Sequence, residues 1–248
     1  MSERILTVEK LNVYYRNEGK LFRRKKDEKH AVKDADLYVD KGEIVGLIGE
    51  SGCGKSTLAK AVMGMIPYQS GTVTLEDKHP QMVFQDPFGS LNPAKKIGFI
   101  LREPLRNLTE MTAEEQSEAV KKMLARVGLE EKYEEHYPKE LSGGQRQRVA
   151  IANALMIKPK LVIADEPVSA LDVTIQVQVL RLLLSLKEEM DLSMIFITHD
   201  LRVAYQVCNR ILVMKDGVIV EQGEVEELYR NPQHEYTKKL LAAADIEL

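Results

Sequence analysis

The stretch at residues 49–57, GESGCGKST, combines glycines, a lysine and hydroxyl side chains at the spacing of a phosphate-binding loop. The apolar run EIVGLI precedes it and a helical pattern follows, which is the context that the pattern G-x-x-x-x-G-K-S requires. Glycines let consecutive backbone N–H groups point inward around phosphate oxygens. We therefore expect Lys55 to reach the β- and γ-phosphates of a nucleotide and Ser56 to ligate Mg²⁺.

The whole loop is expected to contact nucleotide, through Gly49, Ser51, Gly52, Cys53, Gly54, Lys55, Ser56 and Thr57. For Cys53 two interpretations stay open. Its thiol is a small filler of the loop, or it is a group whose alkylation would block nucleotide binding. Protection by ATP against inactivation by a maleimide would separate the two.

Two carboxylates follow a second apolar run, LVIA, at residues 161–164. A strand that leaves the core carries charge only at its tip, at the carboxyl edge where α/β proteins bind ligands. Asp165 suits Mg²⁺, directly or through water, and Glu166 is then placed to orient or deprotonate the attacking water of a phosphoryl transfer. His199 ends a third apolar run and is expected at the same edge, bonded to the γ-phosphate, or else it is a structural histidine.

The stretch LSGGQRQR at residues 141–148 predicts a second anion site. Ser142 stands where a helix N-cap is expected, and Gly143 and Gly144 let the backbone come close to a ligand. Backbone N–H groups at the positive end of a helix attract anions. The chain therefore has two candidate phosphate sites that lie far apart in sequence.

Strands and helices must position these residues. Apolar runs at 43–48, 161–164 and 194–197 predict strands buried on both faces. Alternation predicts further strands at 5–13 and 35–39, and residues 210–221 predict a hairpin. Residues 57–66 predict a helix that Pro67 ends, and residues 97–156 read as helical, with a capping box at 112–115. The pattern predicts an α/β chain interrupted by a helical block.

Composition excludes several classes of protein. The 248 residues are 44% hydrophobic and 29% charged, which is typical of one globular domain or one domain with a sub-domain. A net charge of -3 gives no basic field for nucleic acid. Cys53 and Cys208 have neither metal-type nor disulfide-type spacing, which favours a reducing compartment. No apolar signal region and no run of roughly 20 apolar residues is found, so other chains would have to span a membrane.

In this order, the motifs resemble the nucleotide-binding domain of ATP-binding cassette (ABC) transporters, along almost the whole chain. Residues 49–56 resemble the Walker A motif, Asp165 and Glu166 the Walker B pair, residues 141–145 the family signature, and His199 the switch histidine. The resemblance implies a P-loop NTPase core of the ABC type, with an antiparallel β sub-domain and an inserted helical sub-domain. One such domain would occupy residues 1–248, with the helical sub-domain at about 94–158 and a tail at about 224–248.

The resemblance also adds site residues and a partner. Gln85 is similar to the Q-loop glutamine, Asp172 lies in a segment similar to the D-loop, and Tyr15 lies where the family has its adenine-stacking aromatic, with Tyr14 as the rival. In the family two domains pair head to tail around ATP. The resemblance therefore implies that the signature closes over the γ-phosphate held by a partner subunit, through Ser142, Gly143, Gly144 and Gln145. The cofactors are ATP and Mg²⁺, catalysis falls to Glu166, His199, Lys55 and Gln85, and metal ligation to Ser56, Gln85 and Asp165.

The sequence is more similar still to the ATPase subunits of the oligopeptide, dipeptide and nickel importer group. Three phrases carry this similarity: MVFQDPFGSLNP at 82–93, ADEPVSALDVTIQVQVL at 164–180, and N-P-x-H-x-Y-T at 231–237. They imply uptake of peptide, nickel, another metal or a metal chelate at the cytoplasmic face of the cell membrane. The implied partners are two transmembrane permeases, a second ATPase subunit (identical or paralogous) and, indirectly, an extracytoplasmic solute-binding protein, but no nucleic acid. An exporter subunit, a soluble ABC ATPase acting on DNA or ribosomes, and a non-hydrolysing regulatory module are the alternatives.

Two features depart from the group. The segment between Gly71 and Gln81 is shorter than in family members. The cysteine-containing C-terminal extension of some relatives has no counterpart here, so no iron–sulfur cluster is expected. The insertion at residues 16–29, in contrast, lies where one of the two paired ATPases of that group often carries extra residues. It contains FRRKK, which either binds anionic lipid or forms a solvated loop that the following DEK neutralises.

Overall fold

The computed structural model describes residues 3–16 and 28–244. The chain forms two compact units, one from Met1–Lys78 with Ser193–Leu248 and the other from His79–Leu192. The FRRKK segment lies outside the described residues, and the two interpretations of it stay open. No helix in the described part of the chain is long and apolar enough to cross a membrane.

The first unit contains an antiparallel sheet of three strands. These are β1 (Arg4–Arg16), β2 (Glu28–Asp40) and β4 (Ser70–Leu75), in the order β2-β1-β4. The alternation of the sequence buries one face of β1, through Leu6, Val8, Leu11 and Val13. Shifts of register between Val8 and Leu11 show that the predicted strand contains an irregularity.

The same unit holds a second group of strands, which positions the phosphate loop. Its strands are β3 (Ile44–Ile48), β7 (Ser193–Ile197), β8 (Arg210–Lys215) and β9 (Val218–Glu224). Strand β3 pairs in parallel with β7 and β8, and β8 forms the predicted hairpin with β9. Every residue of β3 and β7 is buried, which explains their unbroken apolar runs. The helices of this unit are α1 (Lys55–Val62), α7 (Leu201–Val207), α8 (Val225–Arg230) and α9 (Glu235–Ala243).

The first helix differs from its prediction at both ends. Helix α1 begins at Lys55 and ends at Val62, not at residues 57 and 66. Gly64 takes a left-handed φ of +68°, and the amide of Met65 donates to the carbonyl of Lys60. This glycine cap ends the helix before Pro67 is reached, so the prediction that the proline stops it was wrong.

A buried ion pair joins three segments of the first unit. Arg210 Nε lies 2.9 Å from Glu43 Oε1, with the two side chains only 6% and 13% exposed. The guanidinium also donates to the carbonyl of Tyr38 at 2.7 Å and lies 3.9 Å above the Tyr38 ring. The pair therefore connects β2 and β8 to the residue that precedes β3.

The second unit contains the helical block. Strands β5 (Gln81–Val83) and β6 (Leu161–Asp165) pair in parallel. Its helices are α2 (Pro87–Ser90), α3 (Ile97–Leu108), α4 (Ala113–Arg126), α5 (Gly143–Leu155) and α6 (Val173–Glu189), with short 3₁₀ helices at Glu131–Glu135 and Pro138–Glu140. The predicted capping box is present, with Thr112 and Glu115 each accepting from the backbone amide of the other. The predicted α/β class, with an antiparallel sheet and helical segments, is confirmed.

Candidate nucleotide-binding and hydrolysis site

Three glycines shape the phosphate loop. Gly49, Gly52 and Gly54 have φ angles of +149°, +79° and +118°. A Cβ at Gly49 would lie 2.1 Å from the carbonyl oxygen of Met214, and one at Gly54 would lie 2.5 Å from that of Ala31. Gly52 has no such neighbour, so its requirement is one of backbone conformation alone. The loop needs glycine at these positions for two different physical reasons.

Lys55 holds a positive charge inside the loop. Its side chain is buried, and its ammonium donates to the carbonyl oxygens of Gly49 at 2.7 Å and Glu50 at 2.9 Å. An ammonium has three donors, so two of them fix its position while its charge remains to attract an anion. The loop therefore combines amides and a cation, which is the chemistry that binds phosphate.

Cys53 is buried beside that lysine. Burial raises the pKa of its thiol above the ordinary 9.0, although the Lys55 ammonium acts in the opposite direction. A thiol with a raised pKa is a weak nucleophile at neutral pH. The geometry thus favours Cys53 as a filler of the loop over a reactive group.

The two tyrosines near the end of β1 have different surroundings. The ring of Tyr14 stacks on His30, with centroids 3.9 Å apart. Tyr15 is 43% exposed, and its hydroxyl lies 3.4 Å from Thr57 Oγ1 at the end of the phosphate loop. Tyr15 is the more exposed of the two and lies beside the loop, which favours it for stacking on a base.

His199 lies two residues after the end of strand β7 and is exposed. The chain after it is held by Asp200, whose side chain caps helix α7 by accepting from the amides of Arg202 and Val203. Thr198 in turn accepts from the Asp200 amide at 3.0 Å. The residues on both sides of this exposed histidine are therefore held by hydrogen bonds.

The candidate base lies in the second unit at the end of β6. Asp165 is the last residue of that strand and is only 6% exposed. Glu166 has a φ of +47°, which is uncommon for a residue other than glycine, and its carbonyl accepts from the amide and hydroxyl of Ser169. Gln85 Nε2 donates to Glu166 Oε2 at 3.3 Å. The structure thus brings together two predicted site residues, Gln85 and Glu166, by a hydrogen bond between their side chains.

The signature begins helix α5 as predicted, with Ser142 as its N-cap. Ser142 Oγ accepts from the amide of Gln145, and Gln145 Oε1 accepts from the amide of Ser142 at 2.9 Å. Gln145 Nε2 also donates to the hydroxyl of Tyr133. The first turn of a helix has four amides without intrahelical acceptors, and this box satisfies two, leaving those of Gly143 and Gly144. The capping role of Gln145 was missed, although the S-x-x-Q spacing would have revealed it.

Gly144 has a packing role that the sequence did not indicate. A Cβ there would lie 2.6 Å from Ile175 Cγ2, on helix α6, whereas one at Gly143 would lie at an ordinary 3.6 Å from Leu171 Cδ2. Asp172 caps α6 and accepts from the amide of Ile175 at 3.0 Å. Two predicted ligand-binding positions therefore also have structural roles: Gly144 lets α5 pack against α6, and Asp172 caps α6.

The donors proposed for a metal are all oxygens. Ser56 offers a hydroxyl at the start of α1, Asp165 a carboxylate and Gln85 an amide oxygen. Mg²⁺ prefers such hard ligands, and in nucleotide sites it is bound by one or two protein groups together with phosphates. The residues present therefore fit Mg²⁺ in chemical type.

Comparisons with known proteins identify the family of this chain. A family model described as ABC transporter matches residues 32–169. The oligopeptide transport ATP-binding protein OppF of Haemophilus influenzae is 45% identical, over 98% of this chain and 79% of that relative. The dipeptide transport ATP-binding protein DppF of the same organism is 43% identical, over 94% of this chain and 76% of that relative.

Two solved structures are similar in fold. One is cbiO1 of Clostridium perfringens, described as part of an ABC transporter complex, with a TM-score of 0.78, 28% identity and coverage of 92% of each chain. The other is the ATP-binding cassette MJ0796, a dimer in a post-hydrolysis state with ADP and Pi, with a TM-score of 0.76, 28% identity and coverage of 89% of this chain and 98% of that one. Since the family model matches more than half of the chain and these relatives match nearly all of it, the chain belongs to the ABC transporter family and is an ATP-binding cassette ATPase, which hydrolyses ATP in transport.

Proposed function

We propose that this chain is the ATP-hydrolysing subunit of an importer for oligopeptides or dipeptides. The observation that carries the proposal is the similarity to relatives named as oligopeptide and dipeptide transport ATP-binding proteins, at 45% and 43% identity. Nickel, another metal or a metal chelate is the other class of cargo that its sequence group suggests. The chain would act at the cytoplasmic face of the cell membrane, bound to two permease subunits and served by an extracytoplasmic solute-binding protein.

Nucleotide binding is assigned to the phosphate loop and to Tyr15. The amides of residues 49–57 would hold the phosphate oxygens, and Lys55 would neutralise the charge of the β- and γ-phosphates. Two carbonyl oxygens already fix the Lys55 ammonium, so little side-chain entropy remains to be lost when ATP binds. The exposed ring of Tyr15 would stack on adenine.

Hydrolysis is assigned to Glu166, whose carboxylate would orient and deprotonate the attacking water. Gln85 would hold that carboxylate in place through its hydrogen bond to Oε2. Mg²⁺, with Ser56, Asp165 and Gln85 as ligands, would supply charge neutralisation at the phosphates. His199 would donate a hydrogen bond to the γ-phosphate.

The signature at residues 141–145 is assigned the role of binding the nucleotide that a second subunit holds. The amides of Gly143 and Gly144, which the capping box leaves without acceptors, would close over the γ-phosphate held by a partner. Ser142 and Gln145 would keep that helix end in shape, and Asp172 would do the same for the neighbouring helix. A similar cassette was solved as a dimer, which supports pairing of this kind. Dimerisation would then depend on ATP, and hydrolysis would release it.

The chemical assignment is tested with Glu166→Gln. We expect phosphate release to fall by about 10²- to 10⁴-fold, the usual contribution of a general base, while ATP binding persists. Glu118→Gln, at an exposed position of α4, is the matched control and should hydrolyse ATP at the normal rate. Hydrolysis by Glu166→Gln at the rate of the control would refute the role of Glu166.

Cargo and partners are tested with tagged Glu166→Gln in its native membranes with MgATP. We expect two multi-span proteins, a second ATPase and a solute-binding protein to copurify, and the binding protein to bind short peptides. If the binding protein bound nickel or a metal chelate, that ligand would replace peptide as the proposed cargo. Copurification of ribosomal or DNA-bound partners alone would refute the proposed importer function. Light scattering of the purified variant with MgATP distinguishes a pair of identical subunits from a monomer that needs a paralogue.

A further inference from the structure

The N-P-x-H-x-Y-T phrase has no part in the chemistry assigned so far, yet it lies against the phosphate loop. It belongs to the tail segment, defined here as residues 225–244, which contains α8 and α9. Tyr236 of this segment is 8% exposed, and its hydroxyl accepts a hydrogen bond from the backbone amide of Glu50 at 3.2 Å. Glu50 is the second residue of the phosphate loop, so a residue 186 positions away in sequence contacts the loop's backbone.

Several contacts hold Tyr236 in this position. The ammonium of Lys215 lies 4.9 Å from the centre of its ring. His234 caps helix α9 by accepting from the amide of Tyr236 at 3.1 Å. The carboxylate of Glu221, on strand β9, accepts from the amides of Gln233 at 2.6 Å and His234 at 3.1 Å. The ring is therefore anchored to the hairpin that lies beside the loop, and does not depend on the loop for its place.

The same segment also contacts the chain that follows the switch histidine. The hydroxyl of Tyr229 donates to the carbonyl of Leu201 at 2.7 Å, and Tyr229 is only 4% exposed. Burial raises the pKa of this hydroxyl, so it remains a protonated donor. Arg202 Nη2 donates to the carbonyl of Ala244 at 3.3 Å. Leu201 and Arg202 lie two and three residues after His199, at the start of α7.

We propose that the tail segment positions two catalytic elements at once, the phosphate loop through Tyr236 and the switch-histidine segment through Tyr229. The two tyrosines are positioning residues, since neither is placed on nucleotide. The inference rests on the proposed roles of the loop and of His199. It assigns a function to the tail segment, namely to connect two elements of the first unit, and within that segment the phrase at 231–237 supplies the contact to the phosphate loop.

Removal of single hydroxyl groups tests the proposal. In the full-length chain, Tyr236→Phe should raise the Kd for ATP about five-fold, the factor carried by one ordinary hydrogen bond, because the loop backbone loses an acceptor. Tyr229→Phe should leave that Kd unchanged and lower kcat several-fold, because it releases only the segment of His199. Tyr68→Phe, at an exposed tyrosine of the same unit, is the control and should change neither.

A merely structural role predicts a different pattern. In that case both variants would lower the melting temperature and leave the Kd and kcat of the folded protein unchanged, which would overturn the proposal. Equal changes of Kd and kcat in both variants would overturn it as well. Failure of the proposed function is recognised separately, because the unaltered chain would then show no hydrolysis that Glu166→Gln abolishes.

Discussion

Gly143 and Gly144 begin the same helix, but only one of them has room for a methyl group. A Cβ at Gly144 would lie 2.6 Å from Ile175 Cγ2, about 1 Å inside the optimal carbon–carbon separation. Overpacking of this kind costs about 1–3 kcal/mol, and the reduced entropy of the unfolded chain returns about 0.4–1 kcal/mol. Gly143→Ala meets an ordinary contact at 3.6 Å and gains the entropy term alone. We therefore expect the two variants to differ in free energy of unfolding by about 1–3 kcal/mol, with Gly144→Ala the less stable.

Urea unfolding followed by far-ultraviolet circular dichroism measures this difference, since the chain has no tryptophan to report on folding. In a chain that already carries Ile175→Ala, adding Gly144→Ala should lower the free energy of unfolding much less than it does in the unaltered chain. The reason is that the methyl group that the new Cβ meets has been removed. Equal stabilities of Gly143→Ala and Gly144→Ala, or no coupling to Ile175, would refute the packing argument. A loss of ATPase activity in Gly144→Ala is thus ambiguous, whereas in Gly143→Ala it reports on the approach to phosphate.

Three further predictions follow from contacts in the first unit. Tyr15→Ala should raise the Kd for ATP by a factor of about 5 or more, as expected for loss of a ring stacked on a base, whereas Tyr14→Ala, which loses only the stack on His30, should leave it unchanged. Cys53 should react slowly with maleimide in the native protein at pH 7. Its raised pKa leaves less than about 1% thiolate at pH 7, so labelling should accelerate as the pH rises past 9.0. Folding stability should also fall in that pH range, because the thiol of the unfolded chain has the lower pKa and loses its proton first. Arg210→Met should destabilise the protein by about 3–5 kcal/mol in urea unfolding, and adding Glu43→Gln should recover much of it, because the buried carboxylate then carries no charge.

Local pattern was sufficient to predict the elements that carry the site. Strands β3 and β7 are covered on both faces, so their apolar runs are unbroken and visible in the sequence. The capping box of Thr112 and the hairpin of β8 and β9 also depend on residues only a few positions apart. These features depend on the spacing of apolar residues and on the residue types at the ends of helices and strands, which can be read directly from the sequence.

Contacts between distant segments could not be predicted in this way. The clash that keeps Gly144 a glycine comes from Ile175, on another helix, and the acceptor for the Glu50 amide comes from the tail segment. Even the end of α1 was decided by Gly64, whose left-handed conformation competes with the more obvious signal of Pro67. For Gly144 and Glu50 a tertiary neighbour, and not the local pattern, selects the outcome. At α1 a second local signal, the glycine cap, acts before the proline does.

The described contacts separate the site residues into two physical kinds. Gln145 and Asp172 use their side chains to cap helices, so the groups available to a nucleotide at these helix ends are backbone amides. Lys55 and Glu166, in contrast, have charged side chains whose described hydrogen bonds help to fix their positions. Replacement of a cap weakens the first turn of a helix by about 0.5–2 kcal/mol and displaces amides that no side chain can replace. If the backbone amides bind phosphate as proposed, we expect the signature to be sensitive to substitution at residues that need not touch ATP, because their side chains determine where those amides lie.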